Sequence, residues 1–123
     1  MHEPAARNNE PTRVIVALTG ASGVIYGIRA LELLGAAGVE THLVITRSGV
    51  ATLAQESSRS ASQVKDLASV VHSPHDLGAS ISSGSFPVAG MLVAPCSVRT
   101  LSGIANSYDE NLVVTALPVG PAR

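Results

Sequence analysis

Val14 to Gly23 reads VIVALTGASG, an apolar run that breaks at once into a loop of small residues and is followed by helix-like sequence. Val14, Ile15, Val16 and Leu18 form a near-continuous hydrophobic segment, the pattern of a parallel strand buried on both faces. Gly20 and Gly23 permit backbone angles that other residues resist, so the loop can wrap closely around a ligand. Its backbone N–H groups and the positive end of the following helix favour an anion, and Thr19 and Ser22 add hydroxyls without bulk. TGASG is only half of the GxGxxG dinucleotide fingerprint, so read alone the loop fits either a nucleotide or flavin phosphate or a plain strand-to-helix turn.

Outward from that loop, strand and helix patterns alternate. The first strand spans about Arg13 to Leu18. From Val24 to Ala37, apolar residues recur at Ile25, Ile28, Leu31, Leu34 and Ala37, which predicts a helix with that stripe against the sheet and Gly38 at its end. Glu40 to Ile45 reads as a second strand, and a strand, helix, strand order implies a right-handed crossover and parallel pairing. Helical stretches follow at about Ser48 to Glu56 and, more weakly, Ala61 to Val70. Gly90 to Ala94 is a further strand closed by Pro95 and Cys96, with Ser97 placed to cap a helix over Val98 to Ala105. The serine-rich Ala79 to Ser85 is too small-sided for core, and Met1 to Thr12, with two prolines and two asparagines, reads as a flexible tail. The loops at Thr19 to Gly23, at Thr46 and at Cys96 to Thr100 all follow strand carboxyl ends, where open α/β sheets build their ligand crevice. All three carry hydroxyls, and together they point to a phosphate or nucleotide site.

Composition narrows the classes. A chain of 123 residues with 46% hydrophobic and 14% charged residues suits one small domain with buried strands and not a disordered segment. A net charge of −1 offers no basic patch for nucleic acid and no polybasic footprint for a membrane. One cysteine, Cys96, leaves no internal disulfide and suits a reducing compartment. The start lacks an apolar signal core, and no apolar run approaches the roughly 20 residues of a membrane span, so a cytoplasmic protein is expected. With only three aromatics, Tyr26, Phe86 and Tyr108, a flat ligand ring would lean on backbone, aliphatic groups or a neighbouring subunit.

The order TGASG at 19 to 23, HDLGASISSGSF at 75 to 86, GMLVAPCS at 90 to 97 and TLSGIANSYDENL at 100 to 112 resembles the UbiX family of flavin prenyltransferases. The resemblance covers about Arg13 to Leu112 and implies a flavodoxin-like, Rossmann-like fold, a parallel sheet with helices on both faces in three layers, binding FMN. It also implies transfer of a dimethylallyl group from dimethylallyl phosphate to reduced FMN, with a UbiD-type decarboxylase as recipient of the product, a homo-oligomeric state and no metal. By position, FMN contacts fall on Gly20, Ala21 and Ser22, on Thr46, where serine is usual, and on Ser97, Val98, Arg99 and Thr100. Ser22 and Glu56 correspond to the residues that take part in the flavin chemistry. A carboxylate at a flavin edge can move protons and stabilise the allylic cation that develops as an allylic phosphate leaves.

The resemblance fails after Leu112, where VVTALPVGPAR sets Thr115 at the position of an arginine and Pro118 at that of an aspartate. Proline inside a helix costs about 3 kcal/mol or more, so the family helix cannot run through unchanged. The expectation is therefore an FMN-binding domain over residues 13–123 that is incomplete at its C-terminus and lacks the later arginines, tyrosine and glutamate of the prenyl-donor site. Alternatives of the same fold are an accessory subunit of a phenolic acid or polyprenyl-hydroxybenzoate decarboxylase, a cysteine-decarboxylating flavoprotein, and an inactive FMN-binding fragment. Cys96, His72, His75 and Asp76 are read as structural residues, although His72, His75 and Asp76 could make a base and its orienting group.

Overall fold

The computed structural model describes residues 11–76 and 87–96. Within them lie β1 (Arg13–Leu18), α1 (Val24–Ala36), β2 (Glu40–Ile45), α2 (Arg47–Glu56), α3 (Ala61–Lys65), β3 (Val70–His72) and β4 (Gly90–Val93). The strands form one sheet in the order β3-β2-β1-β4, and every pairing is parallel. From β1 the chain moves outward through β2 to β3, whereas β4 joins the other side of β1. The direction of winding thus reverses between β1 and β4, and the crevice at such a reversal is where open α/β sheets take their ligands.

The two faces of the sheet are apolar for one reason, the alternation of side chains along each strand. Val16 and Leu18 of β1 and Leu43 and Ile45 of β2 face one way and meet Val24, Ile28 and Leu31 of α1, Leu53 of α2 and Val64 of α3, all buried. Ile15, Ala17 and Val44 face the other way, are likewise fully buried and pack with Val88, Met91 and Val93. Burial on both faces is what makes the strands read as continuous apolar runs. Each large side chain so buried stabilises the fold by about 1.5–3 kcal/mol relative to exposure.

Several sequence expectations are corrected. The stripe on α1 begins at Val24 and continues through Gly27, Ile28 and Leu31, whereas Ile25 is 58% exposed and Ala37 is exposed as well. A constant spacing of three falls about 60° short of a turn at each step, so positions 25, 28, 31, 34 and 37 spiral around the helix; alternating steps of four and three hold one face. The helix ends as expected: Gly38, at φ +80, donates to the Gly35 carbonyl and Val39 donates to Leu34, the paired bonds of a Schellman stop. The third helix is only Ala61–Lys65, opened by a reciprocal cap in which Gln63 N–H donates to Ser60 Oγ and Ser60 N–H donates to Gln63 Oε1. Val70, expected to close that helix, instead starts β3. Ser69 fastens it to β2 through reciprocal 3.0 Å bonds, Thr41 N–H to Ser69 Oγ and Ser69 N–H to Thr41 Oγ1. Two β-branched valines then favour the extended form.

Among the described residues, the buried contacts of all three helices lie on one face of the sheet. The Ala79–Ser85 loop, the helix expected at Val98 to Ala105 and residues 1–10 of the expected tail lie outside the described residues.

Candidate functional site

The site is assembled where β1, β2 and β4 end. Thr19, fully buried, donates both its N–H and its hydroxyl to the Pro95 carbonyl, at 3.2 and 2.6 Å, and so joins the end of β1 to the segment after β4. Thr46 N–H donates to the Leu18 carbonyl at 3.0 Å and joins β1 to the segment after β2. The hydroxyl-bearing loops after β1 and β2 are therefore neighbours, as the sequence implied.

The loop itself is held along one face of α2. Ser48, Thr52 and Glu56 are spaced four apart, which sets them one above another on the helix surface. Ser48 lies beneath Gly20 so closely that a Cβ there would stand 2.6 Å from Ser48 Cβ. Thr52 Oγ1 donates to the Gly20 carbonyl at 3.1 Å. Glu56 Oε1 accepts from the N–H groups of Gly23 and Val24 at 3.0 and 3.2 Å. Gly23 adopts φ +100, a left-handed conformation suited to glycine, immediately before the helix starts.

Glu56 is thus the anion at the head of α1. The sequence suggested that these helix-start amides would be open to an external anion; the structure gives two of them to a carboxylate of the chain itself. The Gly23 and Val24 donors, with a further contribution from the Ser22 hydroxyl, hold the Glu56 carboxyl below the ordinary carboxylate range. The donors that remain are in the loop: the backbone N–H groups of Gly20, Ala21 and Ser22 make no hydrogen bond with any described residue. Backbone N–H groups at the end of a strand that lack a protein partner are donors open to a ligand's acceptor atoms, and Ser22 beside them is exposed.

Of the residues singled out in the sequence, Gly20, Ala21, Ser22 and Glu56 are brought together. Thr46 lies close by, 7% exposed, with its hydroxyl accepting from Gly49 N–H at 3.0 Å and standing 3.2 Å from Ser48 Oγ, so it is the N-cap of α2. Ser97, Val98, Arg99 and Thr100 lie outside the described residues. Burial pushes the Cys96 thiol up, which favours its protonated form. His72 is not part of this site: it ends the edge strand β3, separated from β1 by β2, and its Nε2 lies 2.9 Å from Nδ1 of His42. The histidine Nε2 of His42 in turn lies 2.7 Å from Glu40, which also accepts from Arg13 Nε. No group of three or more His, Cys, Asp or Glu among the described residues is arranged to hold a metal ion.

Sequence reasoning missed Ser48, Thr52 and Pro95. The i, i+4, i+8 spacing of Ser48, Thr52 and Glu56 was a usable signal, since a polar stripe on a helix that follows a crossover strand is placed to meet the loop of the neighbouring strand. Nothing in the sequence named Pro95 as the acceptor for Thr19, 76 residues away.

Comparison with known proteins shows the family and the fold. The model of the Flavoprotein family matches residues 2–120. The flavin prenyltransferase UbiX of Thauera aromatica is 53% identical over 107 residues, covering 87% of this chain and 55% of that protein. Among solved structures, AnUbiX (PadA1) in complex with FMN and dimethylallyl pyrophosphate superposes with a TM-score of 0.86 at 40% identity, over 87% of this chain and 57% of that one. A dodecameric FMN-dependent UbiX-like decarboxylase from Escherichia coli O157:H7 gives 0.82 at 43% identity, over 85% and 58%. The chain spans little more than half the length of these relatives.

Proposed function

This chain belongs to the Flavoprotein family, and from that premise we propose that it is the nucleotide-binding portion of a flavin prenyltransferase. The reaction is transfer of a dimethylallyl group from dimethylallyl phosphate to reduced FMN, with a UbiD-type decarboxylase receiving the prenylated flavin. The observation that carries this reading is the run of amides at Gly20, Ala21 and Ser22 that have no partner among the described residues, set beside an ionised Glu56 at the reversal point of the sheet. The similarity to UbiX proteins over most of this chain supports it.

Small residues and backbone donors without a partner among the described residues fit a flavin nucleotide, whose ring oxygens, ring nitrogens and phosphate are acceptors. Gly20, Ala21 and Ser22 would hold it from the β1 loop and Thr46 from the head of α2. Ser97, Val98, Arg99 and Thr100 would complete the contacts from beyond β4. When bound, FMN supplies the electron-rich ring that accepts the prenyl group. The chain's own contribution is electrostatic and positional. Glu56 has one oxygen fixed by two amides and a carboxyl held below its ordinary range, which suits it to stay charged and stabilise a developing allylic cation. The same lowering makes it a weak base, so of the two roles open to this carboxylate the geometry favours charge stabilisation over proton storage. Ser22, exposed beside it, supplies a hydroxyl that can donate to the flavin or relay a proton. Assembly into a homo-oligomer and a reducing, cytoplasmic location complete the proposal.

The test is to reduce FMN in the presence of the chain and dimethylallyl phosphate and to analyse the flavin by mass spectrometry. A flavin heavier by one dimethylallyl unit, absent with Glu56→Ala, is the expected result. Retention of FMN with no heavier product would contradict the transferase assignment and leave an FMN-binding module.

A further inference from the structure

The Gly20 carbonyl and the Ala21 N–H belong to one peptide unit. The one cis bond among the described residues is Ala94–Pro95, so this unit is trans and its C=O and N–H point in opposite directions. Thr52 Oγ1, donating at 3.1 Å, draws the carbonyl toward α2. The Ala21 N–H is thereby turned away from α2, and it has no partner among the described residues. Thr52 also has a local alternative, because a threonine inside a helix can bond the carbonyl four residues back. The structure has its hydroxyl on the loop instead. Ser48 under Gly20 and Glu56 under Gly23 and Val24 fix the loop on either side, so the peptide between them is the part whose direction depends on Thr52.

We propose that Thr52 is a positioning residue for ligand binding: it sets the direction of the Ala21 amide and so presents that donor to an acceptor atom of the flavin. The inference rests on the flavin reading above and adds to it a residue that touches no ligand. Thr52→Val keeps the shape of the side chain and removes the donor, which leaves the Gly20 carbonyl without its partner. Thr52→Ser keeps the donor.

The experiment is an FMN titration of the parent chain and both variants, with their melting temperatures recorded alongside. The expected result is a Kd for Thr52→Val raised by about tenfold, the scale of one lost hydrogen bond, with Thr52→Ser restoring most of the affinity. A valine variant that melts lower but binds as tightly as the parent would show a merely structural role and overturn the proposal. Should valine prevent folding, hydrogen exchange in the parent decides: FMN slows exchange at the Ala21 amide if that donor is used, and unchanged exchange overturns the proposal. A parent chain that binds no FMN at all overturns the flavin reading, and this inference with it.

Discussion

Glu56 is seated where a sequence-based reading placed a ligand's phosphate, and its chemistry follows from that seat. A carboxylate bound to two helix-start amides is favoured by both hydrogen bonding and the helix dipole, so its proton affinity falls. The folded chain therefore holds fewer protons than the unfolded chain as pH drops through the carboxylate range. Stability from Glu56 is fully present above its unfolded value, about 4.3, and is lost as pH falls through the lower folded value. Glu32, lowered by Arg59 and then Arg29, and Glu40, lowered by His42 and then Arg13, titrate in the same region, so the curve of one variant against the parent is the useful readout. Thermal melts from pH 3 to 7 should show parent and Glu56→Gln converging on acidification; parallel curves would remove the anchoring role. Ser22 and Glu56 were legible through the resemblance to a known family. Thr52 was marked only by its four-residue spacing from Ser48 and Glu56, because its acceptor, the Gly20 carbonyl, is a backbone atom 32 positions away.

Helix α1 approaches the strand ends at Gly27, and only a missing side chain allows it. A Cβ there would stand 2.1 Å from the Ala94 carbonyl oxygen and 2.2 Å from Leu18 Cδ2. Gly27→Ala gains about 1 kcal/mol of helix propensity, but the overlap with backbone costs about 1–3 kcal/mol through displacement of α1. Urea denaturation should show net destabilisation, and a more stable variant would mean that α1 moves freely. On the far edge, β3 is tied to β2 by the stacked pair His42 and His72, whose ring centroids are 5.2 Å apart. Ionised Glu40 only accepts, so His42 carries hydrogen on Nε2 and, when neutral, takes a bond from His72 at Nδ1. Burial, and then the charge of His42, lower the His72 pKa, with Asp76 opposing. Stability should thus be full above about pH 6.5 and decline as pH falls through the lowered His72 value. Urea midpoints between pH 5 and 8 should show this slope in the parent and a shallower one in His72→Gln; equal slopes would show that His72 is not its source. Strands β1 and β2 were legible because six apolar or alternating residues fix their type. β3 was not, since three residues are too few for any period and its pairing depends on the distant Thr41.

At the scale of the molecule, one topological fact places the site: β2 and β4 lie on opposite sides of β1, so the chain reverses where the glycine loop emerges. The order of strands along the sheet was not readable from spacing, which constrains handedness and parallel pairing but not which side β4 takes. The alternation of strand and helix was readable, as was the meeting of the loops that follow β1 and β2. The helices that pack against Val16, Leu18, Leu43 and Ile45 also carry Thr52 and Glu56 to the loop, so core and site are one construction. The central claim is that the Gly20–Ser22 loop is a flavin-binding surface, and equilibrium titration of FMN with the parent chain and Ser22→Trp tests it most directly. Saturable binding by the parent, lost when an indole fills the loop mouth in a variant that still folds, is the predicted result. Equal binding by both, or none by the parent, would contradict it.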